Sequence, residues 1–268
     1  MRKQRTNWKY IFIVAILAFI VGGVSYWQCK FWPKEEVLVS EIEKPKKIEV
    51  TEELVNKIID KIVPKNYDRE TICSFIDDLD NDEFSEIILV FTPTPPTSEA
   101  YFTIVVPTNE TGNYKKIADF TFGKEDITFF RSTPCVYDTK DLLDIDNDGK
   151  KEIILDLGTG GASNEAFGVF KINWNLNKID WLKLKRKDQI VENTYFLRGG
   201  SIMHQEIFEV KDLNSDGVME IIEKTGEYIG TFEDPEDWKK EESWKWQITV
   251  YKWNGSIFDY NEELSTSF

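Results

Sequence analysis

Three stretches of this chain set oxygen-bearing side chains at alternate positions. They are Asp78-Leu-Asp80-Asn-Asp82-Glu-Phe-Ser-Glu86, Asp144-Ile-Asp146-Asn-Asp148-Gly-Lys-Lys-Glu152 and Asp212-Leu-Asn214-Ser-Asp216-Gly-Val-Met-Glu220. Each offers side-chain oxygens at positions 1, 3, 5 and 9 and is followed by Ile-Ile. Alternating oxygens on a tight loop suit a hard cation, and calcium takes about six to eight of them. In the second stretch Asp144, Asp146, Asp148 and Glu152 supply carboxylates and Lys150, at position 7, a backbone carbonyl. The matching sets are Asp212, Asn214, Asp216, Val218 and Glu220, and Asp78, Asp80, Asp82, Phe84 and Glu86. Two to three calcium ions are therefore expected. Magnesium fits less well, because it keeps more water and demands stricter geometry.

The three loops differ in quality. The second has Gly149 to permit the positive φ that wraps the backbone. The third has Asn214 at position 3, which loses a charge but keeps an oxygen. The first has Glu83 in place of glycine, so its wrap is expected to be strained or different. An EF-hand is the obvious competitor, and its closing Glu falls at position 12. Position 12 is Leu89 and Leu155 in the first two loops, and only the third, through Glu223, matches. Strand-like apolar flanks and a shared Glu at position 9 place all three in one β-type class. Acidic turns alone would explain a single loop, since Asp and Asn cap their own backbone; three in one pattern argue for a site.

The elements around the loops follow one order. The first residues of the loops lie 66 and 68 positions apart, and a fixed period of this size signals a repeat architecture. Each loop joins two strand-like runs and is followed by a longer loop and a hairpin. The runs are Thr71–Ile76, Ile87–Phe91, Tyr101–Val106 and Tyr114–Phe120; then Val136–Leu143, Ile153–Leu157, Phe167–Trp174 and Lys178–Leu184; then Glu206–Val210, Ile221–Lys224, Lys245–Trp253 and Ser256–Tyr260. Asn254-Gly255 in the last hairpin is a strong turn signal. The third unit carries an insertion near Gly230 to Ser243. Four-stranded units in tandem build β-propellers, so the chain is expected to be all-β: a propeller-like array of three four-stranded repeats, at about 66–125, 126–198 and 199–262. Three units are fewer than a closed propeller normally has. Exposed edges must then be covered, by the helix expected from Thr51 to Val63 or by a partner chain. That helix has Leu54, Ile58, Ile59 and Ile62 on one face and Pro64 at its end.

Charge and hydropathy place this array. Residues 1–9 form a basic tail, 10–28 an uncharged apolar run and 29–50 a charged stalk. At about 1.5 Å per residue the run nearly spans a bilayer core, and the basic flank predicts the N-terminus inside. It lacks a clear signal-peptidase site, and Tyr26-Trp27-Gln28 does not suit lipidation of Cys29. The run therefore reads as a single-pass anchor, with residues 51–268 outside the cytoplasm. Beyond residue 32 the chain carries 28 basic and 48 acidic residues, a net charge of −20, which disfavours nucleic acid. Cys73 and Cys135 either pair in an oxidising compartment or remain free thiols. The single histidine, His204, reads as a loop residue.

The stretch from Asp144 to Gly161, DIDNDGKKEIILDLGTGG, followed by AFGVFKIN, resembles an FG-GAP or VCBS-type repeat, and DLNSDGVMEII with ITVYKWNGSIFD matches the same pattern. The resemblance covers about residues 71–262 and departs at Glu83. It implies a propeller-like fold with calcium between the first two strands of each blade, bound by Asp144, Asp146, Asp148, Glu152 and their counterparts. The expected function is a binding, adhesion or scaffold module with structural calcium. Trp238, Trp244, Trp246 and Trp253 serve either as a contact face for protein or carbohydrate or as hairpin packing. A calcium-dependent, glycoside-type hydrolase and an envelope-assembly component are the alternatives; neither GxSxG nor HExxH is present to support enzymatic function.

Overall fold

A computed structural model describes residues 48–67, 69–93, 99–122, 133–159, 164–192, 194–201, 203–231 and 237–266. The predicted tail and anchor, and most of the stalk, lie outside the described residues. Among those described, no helix is long and apolar enough to cross a membrane.

Among the described residues, fifteen strands join one open sheet. Strands β1 (Cys73–Asp77), β2 (Glu86–Phe91), β3 (Ala100–Pro107) and β4 (Tyr114–Phe122) pair antiparallel in succession. So do β5 (Leu142–Leu143), β6 (Glu152–Thr159), β7 (Asn164–Asn173) and β8 (Lys178–Trp181). The last such series follows an intervening hairpin, β9 (Leu184–Arg186) with β10 (Gln189–Val191), and the strand β11 (Tyr195–Gly200). It comprises β12 (His204–Lys211), β13 (Glu220–Tyr228), β14 (Trp244–Trp253) and β15 (Phe258–Tyr260). The series are tied together by β11, which lies between β7 and β12, by a parallel pair of Asp119 with Lys178, and by β9 running parallel to β15. Among the described residues the sheet is open, and none of the pairings there closes it into a propeller.

The apolar runs explain the layering. All six residues of β2 are buried, and the two-residue period of a strand sends them to opposite faces. Ile88 and Val90 pack with Phe102, Phe122, Leu155 and Phe170. Ile87, Leu89 and Phe91 pack instead with the helix α1 (Glu52–Ile62). In β6, Ile153, Leu155 and Leu157 face the first of these cores, while Ile154 joins Phe167, Phe208, Ile221 and Tyr251 in a third. A strand covered on both faces has no use for alternating polar residues, which is why Ile-Ile follows each acidic loop.

Helix α1 forms where the sequence predicts it. The Thr51 hydroxyl accepts from the Leu54 N–H at 3.3 Å, and Glu52 and Glu53 lie in the first turn, where the helix dipole favours negative charge. Leu54, Val55, Ile58 and Ile59 are buried against β2 and β3. The expected strand Val136–Leu143 is cut short. Asp138 and Asp141 form a reciprocal capping box around a 3-10 turn at Thr139–Asp141, leaving only Leu142–Leu143 as strand. Cys73 and Cys135 are joined as a disulfide with Cα atoms 5.3 Å apart, which settles the two alternatives left by the sequence.

Candidate metal centres in three acidic hairpin loops

The three loops lie between β1 and β2, β5 and β6, and β12 and β13, and they share one hydrogen-bond pattern. The position-1 carboxylate accepts from the backbone N–H groups of positions 5 and 6. For Asp78 the donors are Asp82 at 3.1 Å and Glu83 at 2.9 Å; for Asp144, Asp148 at 3.0 Å and Gly149 at 2.9 Å; for Asp212, Asp216 at 3.3 Å and Gly217 at 3.0 Å. The position-5 carboxylate accepts from position 7, where Phe84, Lys150 and Val218 donate at 2.8, 3.0 and 2.9 Å. The position-9 carboxylate folds back to accept from position 2: Glu86, Glu152 and Glu220 each hold the N–H of Leu79, Ile145 or Leu213 at 2.8 Å.

The backbone wrap is also shared. Position 4 has positive φ at Asn81, Asn147 and Ser215 (62°, 59° and 62°), as has position 6 at Glu83, Gly149 and Gly217 (74°, 84° and 86°). The different wrap expected as one outcome for the first loop is not found. Glu83 takes the glycine conformation and bears its steric cost.

Asp78, Asp80 and Glu86 can bring one oxygen each within 4.8 Å of one another, as can Asp144, Asp146 and Glu152. In each trio the position-3 carboxylate has an oxygen, Oδ1 of Asp80 or Asp146, that is buried without a hydrogen-bond partner. Burial pushes the Glu86 carboxyl up to about 7, with Asp80, Asp82 and Asp78 adding to the rise against the Leu79 N–H. Burial likewise raises Asp80, reinforced by Asp82 and Asp78. Glu152 rises to about 7 through burial, although the Ile145 N–H and Lys171 oppose it. Dehydrated, mutually repelling oxygens with unfilled lone pairs fit a hard cation. The third loop is built differently: the Asn214 amide donates to Glu220 Oε1 at 3.3 Å, so position 3 meets position 9 without a cation between them.

Residues that the sequence pattern did not single out complete the sites. The residue after Glu at position 9 pairs with Val105 in the first series, Phe170 in the second and Tyr251 in the third. The next residue along that third strand is Val106, Lys171 or Lys252. Lys171 Nζ reaches Asp146, Asp148 Oδ2 at 3.0 Å and Glu152 Oε1 at 3.3 Å. Lys252 Nζ reaches Asp216 Oδ2 at 3.1 Å and Glu220 Oε1 at 3.6 Å. Burial disfavours the Lys171 ammonium, but hydrogen bonds to Asp146 and Asp148 outweigh it and hold the group charged well above the usual lysine range. The available sequence signal was the repeated aromatic-lysine pair, Phe170-Lys171 and Tyr251-Lys252, set against Val105-Val106.

The loops also touch one another. The N–H of Lys151, at position 8 of the second loop, donates to the Leu79 carbonyl of the first at 2.8 Å; that of Met219, at position 8 of the third, donates to the Ile145 carbonyl of the second at 2.9 Å. Lys151 and Asp77 form an ion pair at 2.6 Å beside the first contact. The EF-hand alternative does not apply, because Glu223 lies in β13 and is held by Arg186 at 3.0 Å and by the Tyr251 hydroxyl at 2.8 Å.

Two clefts lie beside these elements. One, of about 350 Å³, is lined by Trp174, Trp181, Trp253, Asp148, Lys171 and Asp180. The other, of about 330 Å³, contains Glu206, Glu223, Arg186 and Thr194; the buried Thr194 hydroxyl has no partner. Of the four tryptophans weighed as a contact face, Trp244 is buried and stands 5.7 Å from Trp246, and Trp253 packs on Phe258 at 5.1 Å. The Trp238 side chain lies outside the described parts. His204 is on strand β12, not in a loop, and bonds Glu206 at 2.7 Å. No family model matches the chain, and no curated protein or solved structure matches it either.

Proposed function

We propose that the chain is a membrane-anchored, extracytoplasmic module of three calcium-loop β repeats, akin to the FG-GAP and VCBS pattern, that acts as a binding or scaffold surface with structural calcium. The observation that carries this reading is the common fold of the three loops, with a buried, unpartnered carboxylate oxygen at position 3 of the first two. Asp78, Asp80 and Glu86, and Asp144, Asp146 and Glu152, are the groups that converge to hold a positive charge. An ion there joins the two strands flanking each loop and neutralises the carboxylates that otherwise repel. The Cys73–Cys135 disulfide supports placement in an oxidising compartment, in keeping with a span at residues 10–28. The tryptophan-lined cleft beside Asp148 is the surface best suited to a carbohydrate or protein ligand.

Differential scanning calorimetry of the full-length chain in detergent tests the proposal. Ligand binding to the folded state alone raises stability by mass action, so EDTA is expected to lower the melting temperature and calcium to restore it. A melting temperature indifferent to both would count against calcium at any of the loops.

A glycoside-type hydrolase is the second reading, favoured by one observation: Glu206 and Glu223 share the 330 Å³ polar cleft outside the three loops. Turnover of chromogenic glycosides, lost in Glu206→Gln, would support it; absence of turnover across such substrates would remove it.

A further inference from the structure

We propose that Lys171 and Lys252 are built-in cations that take the place of a metal in the second and third loops, so that the first loop alone depends on a divalent cation. This rests on the reading of the loops as cation sites and changes which of them is the metal site. Sequence ranks the second loop first and the first loop last; the side chains of the third strand reverse that order.

The argument starts from register. The three loops place the position-9 glutamate next to the same point of the third strand, and that point is Val106, Lys171 or Lys252. In the second loop the ammonium contacts the carboxylates of positions 3, 5 and 9, three of the groups that the sequence assigns to a calcium ion. Asp146 and Glu152 keep only 3% and 1% of their side-chain surface exposed, against 32% for Lys171, so the lysine enters from the rim and places its charge at the buried end of the loop. In the third loop the same position sends Lys252 to positions 5 and 9. There position 3 is already an amide, and Asn214 donates to Glu220 directly. Two equivalent loops thus hold a positive group at the same place, and a full-sized metal ion would have to displace it.

The first loop keeps the oxygens and lacks the lysine. Asp78, Asp80 and Glu86 converge as their counterparts do. Among the described residues no ammonium forms an ion pair with them; Lys150 of the second loop acts on Asp80 only from a distance, opposing the rise that burial causes, and Val106 carries no charge to offer. Asp80 Oδ1 is buried and unpartnered, as is Asp146 Oδ1, but Asp146 has Lys171 on its other oxygen. The cation that two sister loops receive from their own third strand must here come from solution. A hard divalent cation suits the all-oxygen set, and calcium suits it better than magnesium because its coordination tolerates the irregular spacing of these groups.

Calcium titration of the full-length chain in detergent, by calorimetry, tests this with a reciprocal exchange. The wild type is expected to bind about one equivalent. Asp80→Asn and, separately, Val106→Lys should abolish that equivalent, and Val106→Lys should also make the melting temperature insensitive to EDTA. Lys171→Val should raise the stoichiometry to about two. Circular dichroism checks that each variant is folded; Lys171→Val and Val106→Lys approach the question from opposite sides, so failure of one to fold leaves the other decisive. Two or three equivalents in the wild type, or an unchanged stoichiometry in Lys171→Val, would overturn the assignment of the lysines while leaving calcium binding intact. No binding in the wild type or in Lys171→Val would overturn the cation reading of the loops as a whole.

Discussion

Glu83 shows how much the loop geometry outweighs local preference. It sits at φ 74° where the other loops have glycine at 84° and 86°. An L-residue held in this region costs roughly 1–2 kcal/mol, and the position-1 carboxylate evidently enforces it, since Asp78 takes the Glu83 N–H as Asp144 takes that of Gly149. Glu83→Gly should therefore stabilise the fold by about 1 kcal/mol. Glu83→Ala should gain far less, because it removes the charge and keeps the Cβ. The converse substitution, Gly149→Ala, should cost about 1 kcal/mol through backbone strain alone, because a Cβ there would meet nothing within 4 Å. Urea denaturation of the variants in EDTA, where ion binding does not contribute, separates these values. At this scale part of the site was legible: positions 1, 3 and 9 converge in the first two loops, while position 5 stands outside both groups and the third loop forms none among the described residues. What the pattern could not convey was its partner. Lys171 and Lys252 lie 19 and 32 residues beyond their glutamates, and only strand register brings them back.

Among the elements, those whose signals were local formed as the sequence implied. The Thr51 cap, the apolar face of α1 and the Asn254-Gly255 hairpin each depend on residues a few positions apart. The strand at Val136–Leu143 was not legible in this way, because its apolar residues suggested a strand while Asp138 and Asp141 captured each other's backbone first. Strands β9 and β10 were missed because they are only three residues each, and β11 because most of its pairing is with β7, about 30 residues earlier, with β9 in turn resting on the distant β15. The pairing of Cys73 with Cys135 compensates for the weak strand. It fastens β1 to the segment ahead of the second loop, where Cys135 bridges to Asp156 in β6. With 62 residues of sequence separation, chain entropy assigns this cross-link about 4 kcal/mol. Replacing both cysteines with alanine should lower the urea midpoint accordingly, and dithiothreitol should lower that of the wild type but leave the double variant unmoved. A wild-type midpoint indifferent to reductant would show that the thiols are unpaired.

In the whole molecule the loops act as rungs. Each buried position-2 side chain fills the space behind its own loop, and each position-2 carbonyl receives an N–H from the loop that follows: Leu79 from Lys151, Ile145 from Met219. Leu79 and Ile145 are accordingly fully buried, in two separate cores. The third loop has no successor among the described residues, and its position-2 residue, Leu213, is 43% exposed. The two ends of the series are therefore unlike. At the first, α1 covers a face of β2 and β3, whereas the sequence led one to expect it over an exposed strand edge. At the last, Leu213 meets water. The same pattern position should then carry different energies along the chain. Leu79→Ala should cost about 2–5 kcal/mol, as for any large-to-small change in a close-packed core, and Ile145→Ala should fall in the same range. Leu213→Ala should stay within about 0.5 kcal/mol of wild type, as for an ordinary surface change. Chemical denaturation of the three variants measures the gradient directly. A cost at Leu213 equal to that at Leu79 would mean that the last loop is covered in solution after all, and by something other than the described residues.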